Sequence, residues 1–250
     1  MANPVKQFVI EPIHAEPLIV GGLDISYTNS ALWMTIALFV SVAFLTLATK
    51  RKALVPNRAQ MTAELLYGFI ANMVRTTIGS KGAQYFPFIF TLFLFVLLGN
   101  LLGLIPGSFT YTSHLAVTGF MAFFIFVMVI AFGFFNHGLK FLTLFKPPGV
   151  PWWLIVPLVA IEIVSFFVRP ITLAVRLFAN MMAGHIMLKI IAGFAVAAAG
   201  MGGGYVILGI FPIFFNILMI AFEFLVAGIQ AYVFAILTCV YLKDTVDLHH

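Results

Sequence analysis

The sequence predicts an all-α integral membrane protein of about five to six helices, among them a surface amphipathic helix and two long, strongly tilted antiparallel helices. Three observations lead there. Of 250 residues, 63% are hydrophobic and only 8% are charged, whereas an average soluble domain carries about 25% charge. Uninterrupted apolar runs recur along the chain, at the length of about 18 residues or more that crosses a bilayer as a helix. The runs, rich in the 29 phenylalanines, lack the alternation that barrel strands need. The formal charge of +5 sits in short clusters between apolar runs, which fits membrane topology and not nucleic-acid binding. One cysteine, Cys239, excludes an internal disulfide and a cysteine-based metal cluster. Residues 1–30 hold Glu11, Glu16 and Asp24, so no cleavable signal is expected there.

The first 30 residues are expected outside the membrane. The first span covers 31–49, with Trp33 as a possible interfacial anchor, and ends in Lys50, Arg51 and Lys52. In 53–81, Leu65, Leu66, Phe69, Ile70, Met73 and Val74 recur at helical spacing among Arg58, Glu64, Arg75 and Lys81. That pattern reads as an amphipathic helix on the membrane surface. A hairpin of two spans over 86–135 follows, turning at PGSFTYTSH. The proline-rich loop 136–151 leads to Trp152 and Trp153, a second interfacial belt. Residues 154–199 contain no turn signal, since Pro157 and Pro170 alone kink rather than reverse a helix. A helix of that length is about twice the ~30 Å hydrocarbon thickness, so it must tilt strongly. Glycines around 200–204 make the turn, and a partner of similar length runs from 205 to 242. The region 152–242 is therefore expected as two long tilted helices, with 243–250 as a tail. Six lysines and arginines lie between 50 and 81, two in the 136–151 loop and Lys243 in the tail, against Lys6 alone on the opposite side. The positive-inside rule places the C-terminus in the cytoplasm or its equivalent and the N-terminus outside.

Six ionisable residues interrupt the last two apolar segments: Glu162, Arg169, Arg176, His185, Lys189 and Glu223. Each charge at mid-membrane costs at least ~2.5 kcal/mol, and arginine cannot shed its proton to escape. Glu162, Arg169 and Arg176 are spaced by seven and share a helix face; Asn180 lies one turn beyond Arg176, while His185 points about 180° away. Asn216, Glu223 and Gln230, again spaced by seven, make a polar stripe on the last helix. Two such stripes on adjacent helices can enclose a wet path, and His185 with Glu223 has the chemistry of a proton relay. Blander readings stand beside this one. Arg169, next to Pro170, suits a headgroup or structural role, and Lys189 can snorkel. Glu162 can pair with an arginine or line a cavity, and the His185–Glu223 pair can be a packing device. Arg176 has no acid within one turn and wants an anion from another chain. His14, His114, His137, His249 and His250 receive no role.

LAVRLFANMMAGH (173–185), a glycine-rich turn, FEFLVAGIQAYVFAILTCVYL (222–242) and the upstream FTLFLFVLLGNLLGLIPG (90–107) together resemble subunit a of the F-type ATP synthase. The resemblance extends over about 60–242. It implies a membrane-surface helix, upright spans and two near-horizontal helices against a rotating ring of c subunits, with peripheral stalk b/b′ subunits, lipid and protons as further partners and no nucleic acid. By resemblance Arg176 is the ring-facing arginine and leak barrier, with Asn180 its companion and Gln230 opposite it. Glu162 lines the cytoplasmic half-channel, and His185 with Glu223 the other; Asn216 joins that path. Many bacterial members carry acid first and histidine second, whereas histidine comes first here, as in mitochondrial members. That order points to alphaproteobacterial kinship and a bacterial inner membrane, or else a mitochondrial inner membrane. No cofactor, no metal and no covalent chemistry in the subunit itself are expected. The runner-up is a stand-alone proton-coupled secondary transporter, which usually shows an internal repeat; none is visible.

Overall fold

The computed structural model describes residues 8–13, 19–20, 23–24, 26–50, 56–105, 107–138, 140–141, 152–201 and 205–246. A two-residue pairing, β1 (Ile19–Val20) with β2 (Leu23–Asp24), precedes the helices. The helices are α1 (Asn29–Thr49), α2 (Arg58–Ile78), α3 (Phe86–Gly103), α4 (Leu115–His137), α5 (Trp152–Gly200) and α6 (Tyr205–Val246). Five are long and apolar enough to cross a membrane; α2 is the exception.

The ends follow local chemistry. The Asn57 side chain accepts the Arg58 N–H at the start of α2, and Gly79, at φ +87°, donates its N–H to the Arg75 carbonyl at the end. A left-handed backbone there needs glycine. The apolar sector of α2 divides between protein and surface. Ala63, Ile70, Met73, Val74 and Ile78 are buried, while Leu65 and Phe69 are half or more exposed. Phe69 rests at 5.4 Å on Tyr232, and Tyr67 at 4.6 Å on Phe86. Helical spacing finds an apolar sector but cannot say which edge of it meets protein.

α5 runs unbroken for 49 residues through Pro157 and Pro170, and α6 for 42 through Pro212. At ~1.5 Å per residue these are about 74 and 63 Å long, so neither can stand upright in a ~30 Å core. α6 continues past 242, which makes Lys243 and Asp244 helical. The sequence reading for the side chains of Trp152 and Trp153, and for most of the 136–151 loop, lies outside the described residues.

Contacts gather into two compact units. One holds the N-terminal segment to Val42, Phe95–His114 and Leu177–Ala231; the other holds Ala43–Leu94, Leu115–Arg176 and Tyr232–His250. In the first, α5 and α6 are antiparallel: Gly184 faces Glu223 and, further along, Gly209 faces Ala198. The fully buried Asn100 donates its amide to the Ala227 carbonyl at 3.2 Å, joining α3 to α6. Tyr111 donates to the Phe95 carbonyl at 2.9 Å, and burial pushes its phenol above the ordinary value. In the second unit Ile70, Ile89, Ile125, Leu173, Phe234 and Leu242 form the core. Asn136 donates to the Tyr85 hydroxyl at 2.7 Å, and His137 Nε2 lies 3.2 Å from the Val246 carbonyl.

Candidate functional site

In the first unit α5, α6, the α3–α4 loop and the N-terminal segment border an open cavity of about 680 Å³. His185, Glu223 and Asn216 all line it, together with Lys189, Thr110, Glu11 and Asn29. His185 Nδ1 is 3.6 Å from Glu223 Oε1. Glu223 is only 3% exposed, and among the described residues neither of its oxygens has a hydrogen-bond partner, nor has Asn216 Oδ1. Buried oxygens of this kind need water or a proton, and they sit on a cavity large enough to hold several waters. Gly184 makes the pairing possible. A Cβ there would lie 2.6 Å from Glu223 Oε1, so no other residue on α5 lets the carboxyl rest beside His185 without displacement.

The loop that the sequence marks only as a turn is a wall of this site. Thr110 Oγ1 is 2.9 Å from His185 Nε2 and donates to the Gly103 carbonyl at 3.1 Å. Phe8 meets both His185 and His114 edge-on, at 6.4 and 6.5 Å, and Phe109 stacks on His114 at 5.0 Å. Burial holds the His114 imidazole below its ordinary value of 6.5. Sequence reasoning left Thr110, Glu11, Asn29 and His114 without a role, because nothing in the spacing along one chain places loops against a helix face. Lys189 was open to a snorkelling role; the structure puts it on the cavity wall, one turn beyond His185.

The remaining polar residues divide by face. Arg176 and Asn180 are exposed on α5, and Arg176 makes no ion pair among the described residues. That agrees with an arginine whose anion comes from elsewhere. Gln230 is buried on α6 and does not line the cavity.

In the second unit Arg169 Nη1 bonds Asp244 Oδ2 at 2.7 Å and Nη2 lies 3.7 Å from Glu162 Oε1. Its guanidinium also lies 5.6 Å from the centroid of the Tyr241 ring. Arg169 thus has the structural pairing its position invited, and Glu162 neighbours an arginine while its side chain stays 39% exposed. Asp244, which the sequence reading had placed in a tail, is the closer partner. Among the described residues no cluster of histidine, cysteine, aspartate and glutamate could hold a metal ion.

The comparisons with known proteins meet this arrangement. Residues 31–243 match the family model described as ATP synthase A chain. The protein named ATP synthase subunit a of Mesorhizobium japonicum is 49% identical over 248 residues, covering 99% of this chain and 98% of its own. The protein of that name from Paramagnetospirillum magneticum is 49% identical over 252 residues, covering 100% of both chains. That of Rhodospirillum rubrum is 46% identical over 249 residues, again covering 100% of both. These relatives are largely alphaproteobacterial, the kinship that a histidine on α5 and an acid on α6 implied. With the family model covering residues 31–243 and full-length relatives near half identity, the chain belongs to the ATP synthase A chain family.

Proposed function

We propose that this chain is the proton-translocating stator subunit of an F-type ATP synthase, acting beside a rotating ring of c subunits. The observation that carries the reading is the cavity in which the buried Glu223 and His185 meet. A titratable pair on a cavity large enough for water within apolar helices marks an ion path. Protons enter from the outer side past Glu11 and Asn29, reach Glu223 and His185, and neutralise a ring carboxylate, which can then face lipid without the cost of a buried charge. After nearly a full turn that carboxylate loses its proton along a second path near Glu162. Arg176, exposed and without an ion pair among the described residues, attracts the ionised carboxylate, and its fixed charge repels a proton crossing directly between the two paths. Asn180 assists Arg176 at the ring, Gln230 joins the proton path, and Asn216 lines the entry side of it. Each proton crossing supplies ~2.3 kcal/mol per 100 mV, which the complex converts to torque.

The same reading assigns b/b′ stalk subunits as further partners and a bacterial inner membrane as the location, with the N-terminus outside and the C-terminus cytoplasmic. A stand-alone transporter finds no support in the family match.

The test is the reconstituted complex with Arg176→Ala. ATP synthesis should be abolished and the membrane sector should become passively proton-leaky. Synthesis at the parental rate would end the role given to Arg176. A chain that purifies without an oligomeric ring would end the stator reading itself.

A further inference from the structure

We propose that Thr110 sets the tautomer of His185, so that the imidazole exchanges its proton with Glu223 through Nδ1 alone. The inference rests on the proton path above and adds a positioning residue to it. A threonine hydroxyl has one hydrogen and two acceptor lone pairs. Thr110 Oγ1 has two neighbours at bonding distance: the Gly103 carbonyl at 3.1 Å and His185 Nε2 at 2.9 Å. A carbonyl only accepts, so both contacts are hydrogen bonds at once only when the hydroxyl hydrogen goes to Gly103, whose carbonyl also accepts from Ser108 Oγ at 3.0 Å. The bond to the ring can then form only if Nε2 carries a hydrogen and donates it to Thr110.

The site is built for this contact. Gly103 ends α3, where carbonyls lack helical partners. A Cβ at 103 would come within 2.6 Å of both Thr110 Oγ1 and its methyl, so only glycine admits the hydroxyl here. Thr110 is 6% exposed, and Ser113 fastens the same loop by donating to the Thr110 carbonyl at 2.6 Å.

The consequence falls on the other nitrogen. With Nε2 protonated, neutral His185 has a bare Nδ1, and that nitrogen faces Glu223 Oε1 at 3.6 Å. The transferable proton of the neutral pair therefore resides on Glu223. Transfer breaks the carboxyl O–H bond and forms N–H at Nδ1, leaving imidazolium beside carboxylate; the reverse step restores both. Nε2 keeps its proton throughout. His185 is thus a one-sided partner of Glu223 and not a relay that takes a proton at one nitrogen and releases it at the other. The through-path runs over the two carboxyl oxygens. Besides Glu223 from α6, the charged groups on this cavity are Lys189 on α5 and Glu11 from the N-terminal segment, with His114 beyond Phe8. None of them contacts Nε2, which leaves the tautomer to Thr110.

The experiment uses the whole ATP synthase complex in lipid, with ¹⁵N-histidine in this subunit, read by solid-state NMR; His185→Gln assigns the signals by their loss. Neutral His185 should show protonated Nε2 and bare Nδ1. Thr110→Ser should restore that pattern, and Thr110→Val should give mixed tautomers with about a fivefold fall in passive proton conduction, equivalent to about 1 kcal/mol, one ordinary hydrogen bond. Protonated Nδ1 with bare Nε2 in the parent overturns the proposal, and that measurement stands even if the valine variant fails to assemble. A valine variant with parental tautomer or parental conduction overturns it as well. Failure of the broader reading is distinguishable: Arg176→Ala would then leave synthesis intact whatever the state of the ring nitrogens.

Discussion

Replacing Gly184 by alanine should cripple proton transfer, although helix propensity alone argues the opposite. Alanine in place of glycine inside a helix gains about 1 kcal/mol. Here the new methyl would stand 2.6 Å from Glu223 Oε1, 3.0 Å from its carboxyl carbon and 3.3 Å from Cγ. Ordinary contact begins near 3.4 Å, so the carboxyl must retreat by about 0.8 Å. Glu223 is 3% exposed, but Oε1 is the free end of a flexible side chain on the cavity, so the carboxyl can move into that space at little steric cost. Stability should therefore change little, the small steric cost offsetting part of the propensity gain. Function should suffer more, because a displacement near 1 Å in a reacting group costs up to about a hundredfold. Proton pumping driven by ATP in reconstituted vesicles, normalised to assembled complex, should fall at least about tenfold. Gly119→Ala on α4, where no atom lies within 4 Å of the built Cβ, should pump normally and serves as control. A Gly184→Ala complex that assembles and pumps at the control rate would refute the claim that Gly184 is there to seat Glu223.

Other consequences can be checked separately. His185→Glu combined with Glu223→His should pump better than either single change; a double variant no better than the worse single one shows that the pair does not act as a unit. Asp244→Asn removes the closer partner of Arg169, but with side chains 29% and 34% exposed the bond is worth about 1 kcal/mol at most. A small fall in thermal midpoint that shrinks at high salt is expected, and no change at low salt would remove the pair from the list of stabilising contacts. His114 is held neutral by burial, with its folded value below 6.5. Below pH 6.5 the unfolded chain takes up that proton first, so stability present above 6.5 is lost as pH falls toward the folded value. His114→Gln should flatten that part of the thermal midpoint profile, and an unaltered profile would contradict it.

Much of the site was legible in the sequence. Seven-residue spacing placed Glu162, Arg169 and Arg176 on one stripe, and in the structure Arg169 does lie 3.7 Å from Glu162. The same arithmetic set His185 on the far side of α5 from Arg176, and only His185 of the two reaches the cavity. Both depend on a rigid period of 3.6 residues, which survives any tertiary arrangement. On α2 the spacing found the apolar sector without saying which part of it meets protein: Leu65 is 62% exposed, because in a membrane protein apolar residues face lipid as readily as protein.

The sequence by itself determined the class, the approximate number of helices, the great length of the last two, and the presence of charges that lipid cannot tolerate. These follow from summed transfer free energies and from helical geometry, which are local properties of the chain. Only the tertiary structure decided that the turn after α3 carries Thr110 to His185 Nε2, that Gly103 and Gly184 clear the space for it and for Glu223, and that Asp244 claims Arg169. Those contacts join residues 75 apart in two cases, His185 with Thr110 and Asp244 with Arg169. No periodicity along the chain encodes a meeting at that separation, because it is set by how packed helices and loops fill the space between them.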